Sequence, residues 1–179
     1  KFQHPDLHFS FPTVQPISKT SDGLISEWRE MIGNNPYFDL NGWIKFMDPK
    51  ERKPIIGKDE SQEIIKKLNL RSFEGGYKVM MIWMAEEMNQ ASANKLLKIL
   101  EEPPGNTLFI LIAETEEMML QTILSRTQKV RVPRIKLDDL SAHLRQNKNQ
   151  SSSNADSIAA RVDGDLIEAF DVLPTAFIL

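Results

Sequence analysis

Two nearly unbroken apolar runs, separated by one helix-length amphipathic segment, constrain this chain more than any other feature. The first is Lys78-Val79-Met80-Met81-Ile82-Trp83-Met84, opening after Gly75-Gly76, and the second covers residues 107–113, from Thr107 to Ala113. Apolar runs this short and dense read as strands buried on both faces of a parallel sheet. Between them Ala93, Leu96, Leu97 and Leu100 keep the helical period, Asn89 stands ready as a cap, and Pro103-Pro104 stops the helix. Strand, helix and strand in that order predict an α/β architecture with a parallel sheet.

The flanking sequence extends the pattern. His8-Phe9-Ser10-Phe11 reads as a short strand. Leu24, Ile25, Trp28, Met31 and Ile32 form a helical face that Asn34-Asn35-Pro36 ends, and a short apolar stretch from Trp43 to Met47 stops at Asp48-Pro49. Asp59 with Gln62 three residues on is the expected cap of a helix carrying Ile64, Ile65 and Leu68. A helix is predicted over residues 116–124 and a third strand at Lys129-Val130-Arg131-Val132. After Pro133 come short helices over 138–146, 154–162 and 165–172, with a polar link at 147–154. The predicted domains are an α/β core at 1–133 and a small helical domain at 134–179.

Composition narrows the function classes. The 22 Lys+Arg against 25 Asp+Glu leave a net charge of −3, too balanced for a protein that coats nucleic acid by charge alone. With no cysteine, a disulfide framework, a thiolate zinc site and a cysteine nucleophile are absent from this sequence. No apolar run reaches the roughly 18 residues of a membrane span, and the first residues do not read as a signal peptide. A cytoplasmic setting is the expectation.

The segment from Ala93 through Leu96-Leu97-Lys98-Ile99-Leu100-Glu101-Glu102-Pro103-Pro104, followed by Thr122-Ile123-Leu124-Ser125-Arg126, resembles the clamp-loader branch of the AAA+ ATPases. Within it the sequence is similar to the delta-prime and gamma/tau type subunits of bacterial DNA polymerase III, and His4-Pro5-Asp6-Leu7-His8 is similar to the stretch after their zinc-binding loop. The resemblance implies a P-loop NTPase-like parallel sheet followed by a helical lid. In the family a P-loop and the zinc cysteines precede the His-Pro-Asp stretch. Neither G-x-x-x-x-G-K-[ST] nor Cys occurs here, so the expectation is a chain that begins after both and ends before the collar domain by which relatives oligomerise. No cofactor is then expected in this chain, with zinc assigned to the upstream segment.

For the sites, the resemblance implies the following. The acidic pair that holds magnesium and orients water in an active ATPase falls on Trp83 and Met84, which can do neither. Glu86 and Glu87 lie a few residues on and are expected to point elsewhere, as a solvated pair at the strand-to-helix turn. The sensor at the end of the next strand falls on Ala113, with Thr115 as a substitute, and the lid arginine of a Gly-x-x-Arg motif falls on Ile167, three residues after Gly164. Arg126, supported by Ser125, corresponds to an arginine finger that reaches the nucleotide of a neighbouring subunit; read without the motif, Arg126 is an arginine paired with a carboxylate. Thr127 replaces the family's Cys. The implied protein is a stator of the polymerase holoenzyme that does not hydrolyse ATP itself. It would work with gamma/tau and delta subunits and meet the sliding clamp and primer-template DNA through the assembly. Two alternatives stay open: an active motor using Glu86 or Glu87, and an interaction module in which Arg126 is structural.

Other residues weigh less. His4 and His8 have i, i+4 spacing, but Pro5 argues against a helical metal pair. Trp28, Trp43 and Trp83 lie in apolar segments and are expected in the core, as are Met80, Met81, Met84, Met88, Met118 and Met119. Lys95 and Lys98 read as a solvated helix face. Glu101 and Glu102 oppose the helix dipole, which calls for a partner or an internal salt bridge.

Overall fold

The computed structural model describes residues 3–148 and 150–173. Readings that involve the first two residues, Asn149 in the polar link and Ala176-Phe177-Ile178-Leu179 at the end lie outside the described residues. These fall in two compact units, one taking residues up to 36 and 40–129, the other 37–39 and the residues from 130 on.

The first unit is a three-stranded parallel sheet with helices, in the order β1-β2-β3: β1 (Leu7–Ser10), β2 (Lys78–Trp83) and β3 (Thr107–Ile112). Leu7 pairs with Val79, Lys78 with Thr107 and Trp83 with Ile112, so both long apolar runs are neighbours in register. The helices are α1 (Ile25–Asn34), α2 (Leu40–Met47), α3 (Lys58–Asn69), α4 (Gln90–Glu101) and the one-turn α5 (Gln121–Leu124). Asn89 caps α4 as expected, its Oδ1 accepting the Ser92 N–H at 2.8 Å.

Met80 and Ile82 of β2 pack with Ile64 and Leu68 of α3 and Ala93, Leu96 and Leu100 of α4. Each of these side chains other than Ala93 contributes about 1.5–3 kcal/mol on burial. The two helices meet at small residues: the Ser61 hydroxyl, fully buried, donates to the Ser92 carbonyl at 3.1 Å. Lys78 begins the apolar run for a reason periodicity did not supply. Its buried ammonium donates to the carbonyls of Leu68 and Leu70, the free acceptors at the end of α3.

Four expectations are corrected. First, α3 begins at Lys58 with Gly57 at its N-cap, so Asp59 and Glu60 lie in the first turn, where they complement the dipole. Second, β2 is buried on one face only: Lys78, Met80 and Ile82 are buried while Val79, Met81 and Trp83 are half-buried. The 116–124 helix, third, is broken into a 3-10 turn (Glu116–Met118) and α5, with extended residues between. Met119 and Ile123 both enter the core, and their four-residue spacing suits a continuous helix equally well. Fourth, residues 129–132 form no strand, and Val130 and Val132 are exposed. A strand exists only with a ladder partner, and β3, the last strand in the order, carries none on its outer edge among the described residues.

The second unit contains α6 (Leu137–Lys148), α7 (Ser152–Arg161) and α8 (Leu166–Val172) around Leu140, Leu144, Ala155, Ile158 and Ala169. Asp165 caps α8 by accepting the N–H groups of Ile167 and Glu168 at 2.9 and 3.0 Å. Gly164 before it has a φ of +78°, and a Cβ there would stand 2.3 Å from the Ile135 carbonyl oxygen, so only glycine fits. No described helix is long and apolar enough to cross a membrane.

Candidate functional site

Two places in the first unit carry the residues singled out from the sequence: the C-terminal ends of β2 and β3, and the corner where α4 ends beside α5.

At the end of β2, Trp83 turns into an aromatic cluster. Its ring lies 5.0 Å from Trp28, which stacks on Phe11 at 4.3 Å and meets Trp43 edge-on at 5.2 Å. Trp43 is fully buried and its indole donates to the Pro12 carbonyl at 2.8 Å. Trp28 and Trp43 thus occupy the core, as expected. Met84 follows in the left-handed region, φ 54° and ψ 55°, with its side chain buried. That backbone is unusual for a residue with a Cβ. Trp83 and Met84 therefore present apolar side chains at the β2 end, and neither offers an oxygen ligand.

Glu86 and Glu87 are not the solvated pair expected from the sequence. Glu86 Oε1 accepts the N–H groups of Glu114 and Thr115 at 2.8 and 3.2 Å, tying the β2 turn to the loop after β3. Its Oε2 is buried and has no hydrogen-bond partner among the described residues. The Glu87 carboxylate lies 3.8 Å from the Lys53 ammonium. Sequence spacing could not reveal this division, because it depends on the 3-10 turn at Ala85–Glu87. Ala113 is exposed just past β3 and carries no polar group, while Thr115 spends its N–H on Glu86.

Arg126 follows α5 and faces the last turn of α4. Its Nε donates to Glu101 Oε1 at 2.6 Å and its Nη2 lies 2.5 Å from the same oxygen. Nη1 donates to the Thr122 carbonyl at 2.8 Å and to Ser125 Oγ at 3.2 Å. The two motifs that are 25 residues apart in sequence are thus one cluster in space, and the carboxylate that opposes the α4 dipole has its cation. The side chains of Arg126 and Glu101 are 29% and 49% exposed, so the pair adds only about 0–1 kcal/mol to stability. Thr127 Oγ1 donates to the Ile123 and Leu124 carbonyls and stays out of the cluster. Ile167 lies half-buried in the first turn of α8, in the second unit, where its N–H is bound by Asp165.

The remaining candidates have local roles. His4 Nδ1 accepts the Asp6 N–H and its Nε2 faces Glu74, whereas His8 sits in β1 with burial pushing its imidazole below the ordinary value. No group of three or more metal-capable side chains occurs among the described residues. Lys95 reaches Gln62 on α3, and Lys98 is exposed. Met80, Met84, Met88 and Met119 are buried and Met81 half-buried; Met118, expected in the core with them, is exposed on the 3-10 turn.

Three titratable residues carry structural work that sequence reasoning missed. Asp6 accepts the Phe73 and Glu74 N–H groups, which lower its carboxyl. Asp48 is held far below the usual carboxylate range, first by the Arg52 side chain that donates to both its oxygens in the turn after α2. Glu60 is raised by burial, against the lowering effect of the Ser21 hydroxyl and N–H at 2.6 and 2.7 Å.

Comparison with known proteins adds four findings. The sequence profile of the family described as DNA polymerase III, delta subunit, matches residues 1–136. The DNA polymerase III subunit delta' of Escherichia coli (strain K12) is 41% identical over 78 residues, covering 44% of this chain and 23% of that protein. The subunit delta' of Haemophilus influenzae is 40% identical over 85 residues, 45% of this chain and 26% of that protein. A crystal structure of a DNA polymerase III gamma subunit-related protein from Thermotoga maritima aligns with 67% of this chain and 44% of its own, at 29% identity and a TM-score of 0.43. The chain spans about a quarter of the length of the curated relatives it matches.

Proposed function

The chain belongs to the family of DNA polymerase III delta subunits, and from that premise we propose that it is part of a clamp-loader stator: a subunit that assists a neighbour's ATP hydrolysis and performs none itself. The observation that carries this reading is the apolar filling of the β2 end. Trp83 is committed to an aromatic cluster and Met84 is buried, so magnesium and attacking water have no ligand or base at the positions where an ATPase of this class keeps them.

Arg126 supplies the other half. A guanidinium at an exposed corner, ordered by Glu101, Thr122 and Ser125, suits a finger that donates to the γ-phosphate bound by the adjoining subunit. Its planar fork stays charged and matches phosphate oxygens. In that role it stabilises charge developing on the transferred phosphoryl group. The partners in this reading are gamma/tau and delta subunits, with the sliding clamp and primed DNA met through the assembly.

One observation favours the motor as a second reading. Glu86 Oε2 is a buried acceptor without a partner, close to the loop after β3. Hydrolysis by the intact subunit alone separates the two. The stator shows no magnesium-dependent turnover above background. Turnover that disappears in Glu86→Gln establishes the motor and ends the stator reading.

A further inference from the structure

The proposed finger has a second, less obvious component. Glu101 is a carboxylate in the last helical turn, where the macrodipole disfavours it, and it is half-exposed, so stability alone does not account for the residue. Its Oε1 accepts the Nε hydrogen of the Arg126 guanidinium and lies 2.5 Å from Nη2 on the same edge. Thr122 and Ser125 take Nη1. A guanidinium has five N–H groups; the three hydrogen bonds use Nε and Nη1 and leave Nη2 without a hydrogen-bond acceptor among the described residues. The side chain is thus fixed on the face toward its own subunit and still has a donor to give.

Resting on the finger reading above, we propose that Glu101 is the positioning residue for Arg126. It holds the guanidinium by its inner edge so that the remaining donor meets a phosphate oxygen of the nucleotide in the neighbouring subunit. A long, rotamer-rich side chain otherwise has to be ordered at each turnover, and misplacing a catalytic group by about an ångström can cost on the order of 10²-fold in rate. Glu102, the adjoining carboxylate, pairs with no described residue and serves as the control.

The test uses the full-length subunit in the assembled loader, with ATP as the probe and steady-state kinetics as the readout. Glu101→Ala is expected to lower kcat by about ten- to a hundredfold with KM for ATP within about twofold. Glu101→Gln, which keeps an acceptor without the charge, is expected between that variant and the wild type, and Glu102→Ala at the wild-type rate. In an Arg126→Ala background, adding Glu101→Ala is expected to have no further effect, since both changes remove one coupled unit. Melting curves of the variants should overlap that of the wild type. An unchanged or increased rate for Glu101→Ala overturns the proposal, as does an equal loss in the Arg126→Ala background, which would mean that Glu101 acts by another route. An unchanged rate for Arg126→Ala is a different failure, that of the finger itself.

Discussion

Arg126→Lys keeps a positive charge at the corner but loses the planar fork that contacts Glu101 and Thr122 at once. In the assembled loader this variant is expected to turn over ATP at a rate nearer that of Arg126→Ala than of the wild type; a near-normal rate would mean that charge alone suffices. The titrating residues act on stability. The Asp48 and Asp6 carboxyls are lowered in the fold, so their contribution is present above the usual carboxylate range and is lost as pH falls. Glu60 has the opposite sign. Its carboxyl is raised, so the native state holds a proton that the unfolded chain releases, and stability falls as pH climbs from the ordinary 4.5 through the folded value. Glu60→Gln should therefore raise the urea midpoint at about pH 8. The difference should vanish toward about pH 4, where wild-type Glu60 is neutral in both states. A variant less stable than the wild type at high pH would refute this account of the buried carboxyl.

At the scale of elements, caps and turns set the boundaries. Asn89→Ala leaves the Ser92 N–H without its acceptor and should cost about 1 kcal/mol in chemical denaturation. Gly164→Ala forces a side chain into the left-handed region against the Ile135 carbonyl and should cost roughly 1–3 kcal/mol or more. The backbone needs that glycine whatever side chain stands three residues on, where Ile167 lies. The long periodic elements β2, α4 and β3 were legible because a run of apolar residues between strong breakers leaves one solution. The boundary of α3 and the break at Met119 were not, because Gly57 and a core-directed extended residue carry no periodic signature. The strand expected at residues 129–132 had the right composition, but strand formation depends on a neighbour that composition does not reveal.

For the molecule as a whole, motif order singled out the residues of the candidate site, while the geometry supplied the connections between them. Trp83, Met84 and Arg126 were named from motif order alone, and all three lie within residues 1–136, which the family profile matches. The sequence called for a carboxylate partner of Arg126 and for a partner of Glu101 or Glu102 without joining the two, and it did not reveal Glu86 bridging to the loop after β3, since both depend on which way a turn directs its side chains. The proposed function rests on two features, an apolar β2 end ahead of α4 and a well-held arginine at the other end of that helix. ATP hydrolysis by the loader reconstituted with the full-length subunit carrying Arg126→Ala tests it most directly. The account expects turnover of the assembly to fall by about 10³-fold or more at the adjoining site, while the isolated subunit is inactive with or without the substitution. Unchanged turnover of the assembly would contradict it.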